Sequence, residues 1–378
     1  MIFRSPLALR RGGATAAQPA ARRASGRAAP RRPAAIVAER ASLGVGADAL
    51  QIAPIINGCW QLAGGHGREV FEGVQDKLAA HARAGLTTFD TADIYGPSES
   101  ILGEFQEAWT AQGNPPVQIL TKYVPNIFQQ RVTPAAVEAA VRRSLAALRT
   151  ERLDLVQLHW WDYKIPGMVD AALALADLQS KGLIRGVGAT NIDVPALQKL
   201  VDAGVPVVSN QVQFSLLDRR PLNGMLQYAQ SKGIKLLAYG PVGGGLLSDK
   251  FVEEPKKGLL GGVKFSNVDL NTSSLKMYYG VVKRFGGQEL WRRLLVTLRA
   301  VADKHSASVA AVALAWVMAQ GGGGVVHPIV GVRGTQHIQD NAQALALALD
   351  AGDLAAIGAV LAEAAGPDGD IYSFERAG

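Results

Sequence analysis

The chain has 378 residues, 48% of them hydrophobic, with 39 basic and 32 acidic side chains, a formal charge of +7 and one cysteine. Such length and apolarity exclude a disordered or fibrous chain and allow a sizeable core. The lone Cys59 excludes an internal disulfide and a cysteine-based zinc site, and is expected to be a small buried residue.

The first predicted segment is a leader. Arg4, Arg10, Arg11, Arg22, Arg23, Arg27, Arg31 and Arg32 precede Glu39 with no acid among them, which is more than the whole excess of positive charge. The remainder is therefore slightly acidic, and its charge gives no reason to expect a nucleic-acid partner. Residues 1–38, rich in Arg and Ala, read as a cleavable, disordered organelle transit peptide rather than a secretory signal. A basic arm that binds RNA or membrane is the alternative. Residues 39–378 read as one domain.

From Ile55 onward, short apolar runs alternate with helical patterns, as in βα units around a parallel sheet. The predicted strands are Ile55–Cys59, Thr87–Asp90, Val117–Lys122, Leu153–His159, Ile184–Ala189, Val207–Gln211, Lys235–Tyr239 and Val325–Val330. Between the third and fourth, Thr133 and Pro134 form a cap and first turn, followed by Val137, Val141, Leu145 and Leu148 along one helical face. Asp193 before Pro195 is a second such cap. The apolar stretch Ser306–Gln320, about fifteen residues, is shorter than the roughly twenty a membrane span needs, so no membrane partner is expected. Gly321–Gly324 then breaks a helix before the last strand. The pattern predicts an α/β fold, a (β/α)8 TIM barrel. A doubly wound sheet would carry a GxGxxG turn after its first strand, and Cys59–Gly67 lacks that spacing.

In such a barrel the site forms where strands end and βα loops begin. Asp90, Lys122 and His159 end or nearly end the second, third and fourth strands, with Tyr95 on the loop after Asp90. A free tyrosine is a poor acid or base at neutral pH, and the Lys122 ammonium is expected to lower its pKa. Asp90 would hold Lys122 charged, and His159 would hydrogen-bond a substrate oxygen.

The segments FDTADIYG, LTK and LVQLHWWD resemble those of the aldo-keto reductases, a likeness that runs from about Ile55 to Asn341. The resemblance implies reduction of aldehydes or ketones to alcohols by hydride from a nicotinamide, with Tyr95 as general acid and no metal. It implies that Thr190 and Asn191 of GVGATNID, with Gln211 of VSNQVQF, hold the nicotinamide amide, and that Tyr239 stacks on its ring. The turn that includes Gly240, Pro241, Gly243 and Leu246 would follow the pyrophosphate, its glycines admitting close backbone approach. In GVRGTQHIQDN, Arg333, His337, Asp340 and Asn341 match the adenosine-binding segment; Arg333 facing a 2′-phosphate favours NADPH over NADH. Gly331 and Val332 stand where many members have a lysine and a serine or threonine.

Trp60, Tyr123, Trp160 and Trp161 suggest an aromatic mouth for apolar carbonyl substrates. The connection from Gly240 to about Glu289 reads as a long loop, with Lys250, Lys256, Lys257, Lys264, Lys276, Lys283 and Arg284 as a basic lid over the cofactor. The tail from Asp350 to Gly378 matches no catalytic motif, and no oligomer is predicted. The family resemblance favours a plastid for the leader's destination, with the mitochondrion as alternative. Two other functions fit the resemblance: an NAD-dependent sugar dehydrogenase running oxidatively, and a nicotinamide-binding regulatory subunit with slow turnover.

Overall fold

The apolar runs pair in parallel and close on themselves. A computed structural model describes residues 39–64, 70–128, 131–252, 256–257, 263–264, 268, 270 and 272–376; the proposed transit peptide lies outside the described residues. Strands β1 (Ile56–Gly58), β2 (Thr88–Asp90), β3 (Gln118–Tyr123), β4 (Leu153–His159), β5 (Ile184–Thr190), β6 (Val207–Gln213), β7 (Lys235–Tyr239) and β8 (Val326–Gly331) form a closed barrel. β8 closes it by pairing in parallel with both β7 and β1. Each strand starts and ends within two residues of its predicted bounds.

The connecting helices form an outer layer: α1 (Val74–Arg83), α2 (Ser98–Ala111), α3 (Pro134–Ala147), α4 (Met168–Ser180), α5 (Val194–Asp202), α6 (Met225–Lys232), α7 (Ser273–Phe285), α8 (Gly287–Lys304), α9 (Val309–Ala319), α10 (His337–Ala346) and α11 (Ala351–Leu361). A single turn, α12 (Ser373–Arg376), ends the described chain. Both sequence-predicted caps form: Thr133 accepts from the Ala136 amide at 3.2 Å, and Asp193 from the Ala196 amide at 3.0 Å. Val137, Val141, Leu145 and Leu148 are buried as their spacing requires. No single described helix is long and apolar enough to cross a membrane.

A hairpin before the barrel and a helix after β7 were not legible in the sequence. A β-hairpin pairs Ala41–Leu43 with Leu50–Ile52, and its Leu43, Leu50 and Ile52 pack with Ile56, Leu120, Leu155, Leu237 and Ile329 inside the barrel. Ala53 donates to Thr88 Oγ1 at 2.8 Å, which places this plug at the strand starts and leaves the other mouth for a site. The connection after β7 is not the long loop expected. It contains α7, capped by Thr272, which accepts from the Leu275 amide at 3.1 Å. Leu275, Tyr278, Val282 and Phe285 are buried along one helical face; that apolar period, rather than the lysines between, decides the conformation.

Candidate active site

Strand residues alternate between the barrel interior and the helix layer, so a residue two before a functional one shares its face. Asp90 and Lys122 are each 3% exposed, and Lys122 Nζ donates to Asp90 Oδ1 at 2.5 Å and to the Thr91 carbonyl at 2.7 Å. The other Asp90 oxygen accepts from Gln157 Nε2 at 3.0 Å and Gln211 Nε2 at 2.8 Å. Gln211 Nε2 also donates to Gln157 Oε1 at 3.0 Å, which closes a buried network across four strands. Sequence reasoning missed Gln157, although its place two residues before His159 was the signal. Gly188 makes room for it: a Cβ there would stand 3.0 Å from Gln157 Cγ and 2.8 Å from Ser209 Oγ.

Lys122 Nζ lies 5.0 Å from the centre of the Tyr95 ring. Burial pushes the Lys122 ammonium down, but Asp90 and Tyr95 outweigh it and leave the group well charged. For Tyr95 the expectation needs correction. Burial raises the phenol above its ordinary value, and Lys122, which pulls it down as foreseen, does not overcome burial and the neighbouring Asp90.

His159 and Thr190 are register partners on β4 and β5. Both are buried, and His159 Nε2 and Thr190 Oγ1 have no hydrogen-bond partner. Burial first, then Arg376 and Lys122, lower His159 to about 4, so it is neutral at neutral pH. Asn191 follows in left-handed backbone with φ +56°; its amide donates to the Gln211 carbonyl at 2.8 Å and its Oδ1 accepts from Tyr239 Oη at 3.1 Å.

Other predicted residues divide by the same alternation. Trp161 lies against His159, ring centres 4.3 Å apart, and Trp60 is half-buried just after β1. Tyr123 and Trp160 are buried in the outer core and not at an open mouth. They follow inward-facing Lys122 and His159, so both turn into the outer core, and Trp160 Nε1 donates to the Ile165 carbonyl at 3.1 Å. Leu246 is likewise a core side chain, and its carbonyl accepts from Trp291 Nε1 at 3.2 Å. Gly240 and Gly243 have φ of +65° and +57°, and Pro241 between them is buried. The space that Gly240 leaves is taken by Tyr278 of α7, whose Oη would lie 2.4 Å from a Cβ at that position. Both the positive φ and the Tyr278 ring favour glycine there.

At the far end, Arg333 is exposed, His337 Nδ1 lies 3.4 Å from Asp340 Oδ2, and Asn341 is buried with Oδ1 unpartnered. Burial would raise Asp340, but hydrogen bonds from His337 and Ser308 hold it below the usual carboxylate range. Among the described residues no group of three or more His, Cys, Asp or Glu is placed to hold a metal. The tail contributes what the sequence did not suggest: Tyr372 meets His159 edge-on, ring centres 5.6 Å apart, and Arg376 reaches the ends of β4 and β5.

Comparison with known proteins agrees with this fold. The model of the aldo/keto reductase family matches residues 54–362. An uncharacterized oxidoreductase of Mycobacterium tuberculosis is 32% identical over 308 residues, 80% of this chain and 87% of that protein. The chloroplastic pyridoxal reductase of Arabidopsis thaliana is 29% identical over 315 residues, 78% of this chain and 80% of its own. Among solved structures, a glycerol dehydrogenase from Gluconobacter oxydans shares the fold, with TM-score 0.67, 24% identity and coverage of 87% and 97%.

Proposed function

Because the chain belongs to the aldo/keto reductase family, oxidoreductases that use nicotinamide cofactors on small carbonyl compounds, we propose that it reduces aldehydes or ketones with NADPH, Tyr95 being the general acid. The observation that carries this reading is the buried Asp90–Lys122–Tyr95 cluster beside a neutral His159 whose Nε2 has no partner.

The residues suit a dinucleotide, since unpartnered acceptors wait at both ends of the expected track, Thr190 Oγ1 and Asn341 Oδ1. Leaving such groups buried and unpaired costs about 1–3 kcal/mol each, a cost that a ligand donor removes. Thr190, Asn191 and Gln211 would hold the nicotinamide amide, Tyr239 would face its ring, Asn341 would meet adenine, and Arg333, with His337 and Asp340 near by, would favour a 2′-phosphate. Bound, the cofactor supplies hydride. Tyr95, kept protonated by burial, gives its proton to the carbonyl oxygen as that oxygen gains charge. Lys122, held charged by Asp90, stabilises the phenolate left behind until solvent reprotonates it. His159, in the tautomer with its proton on Nε2, donates to the same oxygen and fixes its place. Trp161 and Tyr372 against His159 favour an apolar or aromatic substituent on the carbonyl carbon.

The acid-free leader and the chloroplastic relative support import of the chain into a plastid, with cleavage near Glu39. A fluorescent fusion to residues 1–38 that stayed outside plastids would refute this.

The test is NADPH and NADH consumption by the protein with a panel of aliphatic and aromatic aldehydes, pyridoxal among them, beside Tyr95→Phe. Turnover with NADPH should fall by about 10²–10⁴ in the variant. Tight NADPH binding without turnover in the wild type would overturn the reading in favour of a regulatory nicotinamide-binding subunit.

A further inference from the structure

We propose that Arg376, on the C-terminal turn, is a positioning residue that sets the spacing between the substrate end and the nicotinamide end of the site. The inference rests on the reductase reading above. Arg376 Nη2 donates to the carbonyl of Asn191 and, at 3.5 Å, to that of Trp160. Trp160 is the residue after His159, which holds the substrate oxygen in that reading, and Asn191 is the residue after Thr190. One planar guanidinium therefore ties the chain just after β4 to the chain just after β5, beside the residues that would hold the substrate oxygen and the nicotinamide. Asn191 is also in left-handed backbone at φ +56°, a state open to asparagine that turns the chain away from β5 at this point.

The guanidinium is itself held. It lies 3.9 Å from the centre of the Tyr163 ring and 5.1 Å from that of Tyr372, and Nη1 lies 3.9 Å from Asp193 Oδ2. Tyr163 Oη accepts from the Asp193 amide at 3.0 Å, so the ring beneath Arg376 is fixed to the start of α5. The turn is anchored next door, where Glu375 accepts two hydrogen bonds from Arg220 at 2.9 and 3.0 Å. Arg220 is buried and also bonded to Asp218 at 2.7 Å. Asn223 Nδ2 donates to the Gly369 carbonyl at 2.8 Å, which holds the approach to the turn. A free tail would have no need of a buried arginine on the barrel to receive it. The same guanidinium, with Lys122 from β3, resists a positive charge on His159; the Tyr372 and Trp161 rings packed against that ring are neutral, and Asp193 offsets part of the Arg376 charge.

The experiment compares Arg376→Met and Arg376→Lys in the full chain by kcat and KM, by the pH profile of kcat/KM, and by NADPH affinity read from tryptophan quenching. Arg376→Met should lower kcat by about tenfold to a hundredfold, since small misplacements at the reacting centre cost that much. It should also weaken NADPH binding and move the acid limb of the profile to higher pH, because a cation that opposed protonation of His159 is gone. Arg376→Lys keeps the charge but is shorter and loses the planar group stacked on Tyr163, so kcat should fall while the acid limb stays in place. Wild-type kcat in Arg376→Lys would overturn the proposal even if Arg376→Met fails to fold. So would a loss in Arg376→Met that tracks thermal stability alone, with the acid limb unmoved. Absence of NADPH turnover in the wild type would defeat the reductase reading instead, and unchanged NADPH affinity in both variants would then defeat the positioning role by itself.

Discussion

Asp90→Asn tests whether the buried pair is the organising feature of the site. The substitution keeps size and shape but removes the charge that Lys122 faces at 2.5 Å, at a position where both groups are 3% exposed. Removing one member of a buried pair costs about 3–5 kcal/mol, because the other charge is left without compensation. Lys122 can limit that cost by losing its proton: burial is the largest influence on it, and the Asp90 charge and hydrogen bond that oppose burial would be gone. The two cases differ in sign with pH. In the wild type the folded lysine titrates above its unfolded value, so its contribution is complete below roughly pH 10.4 and is lost as pH rises through the folded value. In the variant the folded value drops below the unfolded one, the unfolded state binds more protons, and stability climbs with pH. The slope is about 1.4 kcal/mol per pH unit up to roughly pH 10.4. Urea denaturation of both proteins at several pH values between 7 and 10 reads this directly. A variant that loses less than about 1 kcal/mol at pH 7 and shows the wild-type pH dependence would refute the argument.

Two substitutions test the packing. Gly103 lies within α2, where helix propensity alone favours alanine by about 1 kcal/mol. A Cβ there would stand 2.4 Å from the Ala147 carbonyl oxygen and 2.9 Å from the Leu148 carbonyl carbon, both backbone, so Gly103→Ala should instead destabilise by about 1–3 kcal/mol in chemical denaturation. Trp160 and Trp161 are sequence neighbours with opposite duties. Trp160→Ala should cost about 3–5 kcal/mol of stability, whereas Trp161→Ala should leave the denaturation midpoint nearly unchanged and raise KM for aromatic aldehydes, measured in the same preparations.

The parts of this protein that were legible in its sequence are those with local signals. Each barrel strand is an apolar run of its own, and Asp90, Lys122 and His159 are ionisable residues at the ends of such runs. What was missed depends on partners far along the chain. The hairpin at Ala41–Ile52 has three-residue strands whose meaning lies in the barrel floor they fill. The turn at Ser373–Arg376 is too short to show a period, yet it meets residues more than 150 positions earlier. Tyr123 and Trp160 differ from expectation for another reason: they adjoin Lys122 and His159 in sequence, but strand alternation sends adjacent side chains to opposite faces.

That alternation also bears on which unpaired polar atoms matter. His327 Nε2 and His159 Nε2 are both buried without partners, and burial brings both rings to about 4. His327 lies near the start of β8, and its Nδ1 is 3.3 Å from the Pro54 carbonyl at the plugged end. His159 ends β4 at the opposite mouth, beside a lysine, a tyrosine and a threonine hydroxyl that also lacks a partner. An unpaired group at the plugged end is a cost of packing. At the open mouth, the bonded groups Asp90, Lys122 and Gln157 form the frame, Gln211 joins it through Nε2, and the unbonded atoms belong to His159 and Thr190. Satisfied polar groups and unsatisfied ones thus separate into support and contact, and it is the second set that a substrate oxygen and a nicotinamide amide have the donors and acceptors to complete.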